Sequence, residues 1–334
     1  MFDGNPVRFN VAFLMWCGFF LALSGAGLVI LASLDRLPSP PITATDCIDE
    51  KFRFLHETSI RHPNLLAVGS SVTWRNLDFS FFEEYYGDEV QPLNAAPCFL
   101  YINQTAYLTD FLLDNMPGVK TVLSIFSMRD FSKCSSSPTA FFDPEDARSY
   151  IFEGQSGWYL YYKNFRPAAF VRDIISLPAR RSGETPYGSL VMDKYGSGPA
   201  TLLSPEIREN FEFERSCLTH LKSMSDSLAR RGVDFVVVLL PLMPAWRDAY
   251  DPGGDRDAEF RSAVAEQLAS TRTVLIDAQK GLRFRNEDFT DHAHLQWSSV
   301  PLLMQYLIAQ LERTRLSYVG ERNDLSPPVG SEGW

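Results

Sequence analysis

The pattern of apolar and polar positions changes character three times along the chain. From Val11 to Leu34 (VAFLMWCGFFLALSGAGLVILASL) 24 residues pass without a charge or a proline. At about 1.5 Å per residue this run can cross a hydrocarbon layer of about 30 Å, so it predicts one transmembrane helix within an N-terminal anchor over residues 1–36. A cleaved signal peptide is the competing reading, because Ala, Gly and Ser gather toward the end of the run. Its apolar core would be only about 7–15 residues long, and the longer run favours an uncleaved anchor. Next, Leu37 to Ala44 (LPSPPITA) is proline-rich and uncharged. It predicts an extended linker over 37–46 that holds the following domain off the bilayer.

From Cys47 onward, short apolar runs alternate with amphipathic segments, the pattern of an α/β domain with helices packed on a mainly parallel sheet. Strands are predicted at Asn64–Val68, ending abruptly in Gly69-Ser70-Ser71, at Val90–Asn94, at Lys120–Phe126, at Val233–Leu240 and at Thr273–Asp277. The fourth (VDFVVVLL) is apolar on both faces and β-branched, as a central buried parallel strand should be. A helix from about Tyr101 to Asn115 is closed by Met116-Pro117-Gly118. Another opens at Ser204-Pro205 and carries Cys217, Leu221, Met224 and Leu228 along one stripe. A third has Phe260, Val264 and Leu268 on one face, and the last runs from near Ser299 to about Arg315. Over about 131–203 the periodicity dissolves into SKCSSSPTAFFDPED, an aromatic block WYLYYKNF (Trp158 to Phe165) and a Gly/Ser/Pro stretch. This reads as an insertion in a domain spanning 47–318. Its aromatics read first as packing, with a flat sugar platform as the minority alternative. Residues 319–334 read as a disordered tail.

Charge narrows the function. With 31 Lys+Arg against 41 Asp+Glu, the net charge of −10 excludes a sequence-independent nucleic-acid binder. Arg8 and Arg36 flank the span almost symmetrically and say little about its orientation. Cys17 lies in the span, leaving Cys47, Cys98, Cys134 and Cys217. These are either disulfides of an oxidising compartment, with three pairings open, or ordinary buried small hydrophobes.

An open parallel sheet delivers ligand-binding loops to its carboxyl edge. The first such loop is Gly69-Ser70-Ser71-Val72, where a serine at a tight strand-to-helix turn holds its Oγ clear of the sheet, near backbone N–H groups suited to an oxyanion. At the other end of the domain FTDHAHLQWSS places Asp291 three residues before His294. A histidine that takes a proton from serine needs a carboxylate to orient its ring. The set Ser71, Asp291, His294 therefore reads as a nucleophile, an orienting acid and a base. Three other readings compete: Asp291 capping a turn beside a merely buried His294, His292 and His294 binding zinc with Asp291, and Ser70 as nucleophile. His56, His62 and His220 have no spacing that completes a metal site, so no metal and no cofactor is expected.

The strand ending in Gly-x-Ser, the second strand ending in a small-residue turn and the closing D-x-x-H-L together resemble the SGNH/GDSL hydrolase superfamily, most closely its membrane-anchored DltD/AlgJ/AlgX-like branch. The resemblance spans about Asn64 to Leu311 but rests on three short motifs. It implies a three-layer α/β/α sandwich with Ser71 as nucleophile and Asp291 and His294 as its partners. Ser70 departs from the Asp of the family's first block. Asn94-Ala95-Ala96 stands where the family uses a Gly, so Ala96 is the expected N–H donor to the oxyanion. Ser127-Met128-Arg129-Asp130 stands where the family has Gly-x-Asn-Asp, and the missing Asn removes a donor worth about 3 kcal/mol in a comparable site. Arg129 is a weak substitute, with an ion pair to Asp130 as its competing role.

The resemblance and the anchor lead to one functional expectation: a single-pass protein of the cell (inner) membrane with an extracytoplasmic, periplasmic catalytic domain. It would transfer an O-acyl group, acetyl first, through a serine acyl-enzyme to a cell-envelope polymer or secreted polysaccharide. The resemblance implies a multi-spanning membrane O-acyltransferase as the partner that supplies the acyl group. A carbohydrate esterase using water as acceptor, and a non-catalytic polymer-binding or assembly subunit, are the alternatives.

Overall fold

A computed structural model describes residues 6–185, 188–201 and 210–314. The first element is a helix over Pro6–Ser33, and its window Val7–Ser33 is long and apolar enough to cross a membrane.

The domain that follows is built on five parallel strands: β1 (Leu65–Ala67), β2 (Pro92–Asn94), β3 (Thr121–Phe126), β4 (Asp234–Leu239) and β5 (Val274–Asp277). They lie in the order β2-β1-β3-β4-β5. Every residue of β1 and β3 is buried, as is β4 from Phe235 onward, which is why these segments read as continuous apolar runs. The chain steps from β1 outward to β2 and then returns past β1 to β3. This reversal opens a crevice at the carboxyl ends of β1 and β3.

The connections β2 to β3, β3 to β4 and β4 to β5 contain helices Ile102–Asn115, Leu218–Arg230 and Asp255–Leu268, which pack against one another in that order. Right-handed crossovers running in one direction place all three on one face. The β1 to β2 connection runs the other way, and its helix Ser80–Tyr86 packs against the closing helix Val300–Glu312.

Two expectations change. The helix carrying Cys217 does not extend back through residues 210–214: a 3₁₀ turn at Arg215–Cys217 leads into it and Glu214 N–H bonds Phe131 O, while Ser204-Pro205 falls outside the described residues, as does the 319–334 tail. Where the periodicity dissolves, the insertion holds helices Pro144–Ile151, Leu160–Lys163 and Pro167–Arg181. The proline-rich segment is no free spacer. Pro38, Ser39 and Ile42 are buried, Ser39 bonds Glu50 at 2.7 Å, and the insertion grips its carbonyls through Asn164 to Pro41 (2.8 Å), Arg166 to Thr43 (2.6 Å) and Arg181 to Leu37 (3.0 Å).

The cysteines resolve into Cys47–Cys98 and Cys134–Cys217, with Cys17 free. The first ties helix Asp46–Glu57 to the loop after β2, and the second ties the start of the insertion to the 3₁₀ turn Arg215–Cys217 that follows it.

Candidate active site

The short helix Ser71–Arg75 begins where β1 ends, and its geometry is set by its neighbours. Ser70 is the N-cap, accepting the Val72 N–H, and its own hydroxyl donates to Asp130 Oδ1 at 2.6 Å. A buried cap already engaged on both sides is not a nucleophile, which removes the reading of Ser70 as the reactive group. A Cβ on Gly69 would overlap the Thr73 side chain, whose hydroxyl locks the helix to β3 by donating to Ile125 O (2.8 Å) and accepting from Ile125 N–H (3.0 Å).

Asp291 and His294 sit on a small hairpin formed by β6 (Phe289–Asp291) and β7 (His294–Leu295). Asp291 Oδ1 accepts the N–H groups of Ala293 and His294, each at 3.1 Å, and so does cap a turn. The same carboxylate meets His294 Nδ1 at 2.8 and 2.9 Å. With Nδ1–H donating to Asp291, Nε2 is left to accept from Ser71 Oγ, 2.9 Å away. Turn capping and ring orientation, which the sequence presented as alternatives, are two functions of one side chain. Burial pushes the Asp291 carboxyl up, but the charge and hydrogen bond of His294, aided by His292 and the Ala293 N–H, outweigh it and hold the group well below the usual carboxylate range.

The distance between helix and hairpin is fixed by a residue that sequence reasoning missed. Asn76, fully buried, donates to Val72 O and Ala293 O (2.9 Å) and accepts the Leu295 N–H (2.7 Å), clasping the backbone on both sides of His294. Its only sequence signal is its place five residues beyond Ser71, at the end of the short helix.

His292 points elsewhere. Its ring lies 5.0 Å from that of Phe211 and 6.4 Å from that of Trp246. No group of three or more His, Cys, Asp or Glu side chains is placed to hold a metal among the described residues.

Ala96 and Arg129 do not take the places the family blocks gave them. The Ala96 N–H is directed to Asn94 Oδ1 at 3.2 Å, because Asn94 closes a tight turn on itself while its amide nitrogen bonds Trp74 O and Ser197 Oγ. Arg129 does not form the ion pair with Asp130: Asp130 is taken by Ser70 and by the Ser127 N–H (2.8 Å) and hydroxyl. Arg129 instead lies over the rings of Phe99 (6.0 Å) and Tyr101 (5.7 Å). Burial raises the Asp130 pKa against these hydrogen bonds and the Arg129 charge. The Ser71 N–H is a backbone donor beside the Ser71 hydroxyl, one of the amides that a helix start leaves without an intrahelical partner.

Ser71, Asp291 and His294 line a cavity of about 140 Å³ together with the Cys47–Cys98 disulfide, Trp74, Arg75, Phe99 and Arg180. Phe99 adopts a positive φ of 62°, a conformation that costs a non-glycine residue about 1–2 kcal/mol and tends to persist at functional sites. Arg75 stacks on Trp74 at 3.7 Å and donates to the carbonyls of Pro199 and Ser189, which brings the far end of the insertion over the cavity. Burial, with the Arg180 charge, lowers the Arg75 guanidinium to about 9, so it remains a cation at neutral pH. Beneath it the buried Lys51 donates to Asn94 O (3.1 Å) and Gly196 O (2.6 Å), fastening the insertion to the edge strand β2. Burial, with Arg75 nearby, pushes the Lys51 amine well below its ordinary value.

In comparisons with known proteins, the chain matches no family model and is similar to no curated protein.

Proposed function

We propose that this chain is a membrane-anchored, extracytoplasmic O-acyltransferase of the SGNH/GDSL hydrolase type, with its sheet in a three-layer α/β/α sandwich. It passes an acyl group, acetyl first, through Ser71 to a polysaccharide or other envelope polymer. The observation that carries this reading is the hydrogen-bonded series Ser71 Oγ, His294 Nε2, His294 Nδ1 and Asp291, with steps of 2.9 and 2.8 Å. In such a series His294 removes the Ser71 proton as Oγ attacks the acyl carbonyl, and Asp291 stabilises the imidazolium that forms. The Ser71 N–H faces the developing oxyanion. His294 then returns its proton to the leaving group. An acceptor hydroxyl, deprotonated by the same imidazole, next attacks the acyl carbonyl, and the imidazolium protonates Ser71 Oγ as the ester bond to it breaks.

Two disulfides support an oxidising compartment. The helix Pro6–Ser33 supports residence at a bilayer, where a membrane-bound acyl supplier would deliver its group. The same residues serve a carbohydrate esterase if water replaces the sugar. The engagement of the Ala96 N–H by Asn94 favours a third reading, a non-catalytic envelope subunit.

These readings separate in one assay. The full chain in detergent is given p-nitrophenyl acetate, with a xylo- or manno-oligosaccharide as optional acceptor and with Ser71→Ala and His294→Ala as controls. Acetylated sugar lost in both variants supports transfer, acetate release alone supports the esterase, and no turnover by a folded protein supports the non-catalytic subunit. Truncation at Cys47 is avoided, because it would remove the buried Ile42 and the Ser39 to Glu50 bond.

A further inference from the structure

Outside the membrane span, exposed large hydrophobic side chains are concentrated in one place. Trp158, Tyr159, Tyr162, Phe165, Val171 and Ile175 all fall within 158–175, against Tyr85, Phe99 and Leu302 in the rest of the described domain. Val171 and Ile175, 56% and 73% exposed, stand one turn apart on the same face of helix Pro167–Arg181. Single exposed apolar residues need no explanation, but a cluster of six in the wall of a soluble domain does.

The cluster adjoins the span. The Tyr162 hydroxyl meets Ser24 Oγ at 3.1 Å, the same hydroxyl lies against Gly25, and Leu28 is the one buried residue of the helix Pro6–Ser33 among the described residues. Ser24 lies nine residues before the helix end (33 minus 24), about 14 Å along the axis. The span Val7–Ser33 has 27 residues, about 40 Å, which exceeds a hydrocarbon layer of about 30 Å by about 10 Å. Ser24 thus lies about 4–14 Å inside the edge nearest the domain, and the insertion meets the span within the outer acyl-chain region. The basic side chains of 158–175 are engaged within the protein, Lys163 with Asp146 (2.6 Å), Arg172 with Asp173 (2.9 Å) and Arg166 with Thr43 O (2.6 Å), so the contact rests on apolar area.

We propose that residues 158–175 form a second bilayer contact, a foot whose Phe165, Val171 and Ile175 enter the acyl-chain region of the leaflet nearest the domain while Trp158 and Tyr159 lie at headgroup level. The helix Pro167–Arg181 bears the foot at Val171 and Ile175 and a wall of the Ser71 cavity at Arg180, five residues or about 7.5 Å further on. The foot thus sets the height of the cavity above the membrane. This last consequence rests on the acyl-transfer reading, whereas the lipid contact itself does not.

The test is spectroscopic and independent of turnover. In a Cys17→Ala background, which removes the free thiol of the span, Val171→Cys, Ile175→Cys and, as control, Leu302→Cys are labelled with an environment-sensitive fluorophore. Each full chain is reconstituted into vesicles of phosphatidylcholine and phosphatidylglycerol. The foot requires blue-shifted emission at 171 and 175, quenched at least about twofold when the lipids carry brominated acyl chains, with the probe at 302 unaffected. Emission at 171 and 175 that matches 302 overturns it. So does a blue shift that brominated lipid leaves unquenched, since protein rather than lipid would then cover the face.

Discussion

The carboxyl edge of the sheet and the insertion stand side by side yet spend their side chains in opposite ways. At the sheet edge Ser70, Asn76, Asp130 and Asp291 are all buried and each is engaged by named hydrogen bonds. In the insertion, residues 158–175 turn aromatic and aliphatic groups outward. Positioning a reactive group demands over-determined geometry, because a displacement of about 1 Å can cost about 10²-fold in rate. Resting on a bilayer demands only apolar area.

On that contrast, substitutions at the edge act on rate and those of the exposed side chains of 158–175 do not. The largest effect is expected from Asp291→Asn, which keeps the shape but loses the charge that orients His294: kcat for ester turnover should fall about 10⁴-fold. Because folding holds the Asp291 pKa below its unfolded value of about 3.9, its contribution to stability is present above about pH 4 and is lost as pH falls through the folded value. Denaturant unfolding should accordingly show the gap between wild type and Asp291→Asn closing under acid.

Removing each disulfide in turn sharpens the comparison. Cys47→Ala with Cys98→Ala should cost about 2–5 kcal/mol in unfolding free energy and also reduce turnover, because this bridge lines the cavity. Cys134→Ala with Cys217→Ala should cost a similar amount and leave kcat close to wild type below the unfolding temperature. Asn76→Ala comes next, with kcat reduced about 10²-fold and stability lowered by about 1–3 kcal/mol, since the Ala293 carbonyl and Leu295 N–H lose their partner. Smallest is Ile175→Ser, expected within about 0.5 kcal/mol of wild type by thermal unfolding in detergent, with unchanged turnover of a soluble ester.

The strands and the grouping of Ser71, Asp291 and His294 were legible because their signals are local: β-branched runs, Gly-Ser-Ser at a strand end, and Asp three residues from His. What escaped the sequence depends on partners far along the chain. Asn76 is ordinary until Ala293 and Leu295 are brought to it. Ala96 was assigned an oxyanion role by its place after β2, yet Asn94, two residues earlier, takes its N–H. The block Trp158 to Phe165 read as packing. Leu160 and Tyr161 do pack inward, while Trp158, Tyr159, Tyr162 and Phe165 do not, a division that apolar composition cannot display when the surrounding solvent is unspecified. The linker misled for the same reason, since proline-rich sequence predicts extension but not the carbonyl partners offered by Asn164, Arg166 and Arg181.

The central claim is that Ser71 and His294 act as one unit, and a double-mutant cycle on acyl transfer from p-nitrophenyl acetate tests it most directly. The account predicts that Ser71→Ala and His294→Ala each lower kcat by at least about 10³-fold and that the double variant is no slower than either alone. If the two losses multiply, or if Ser71→Ala retains wild-type turnover, the hydrogen bond between Ser71 and His294 is not the catalytic relay.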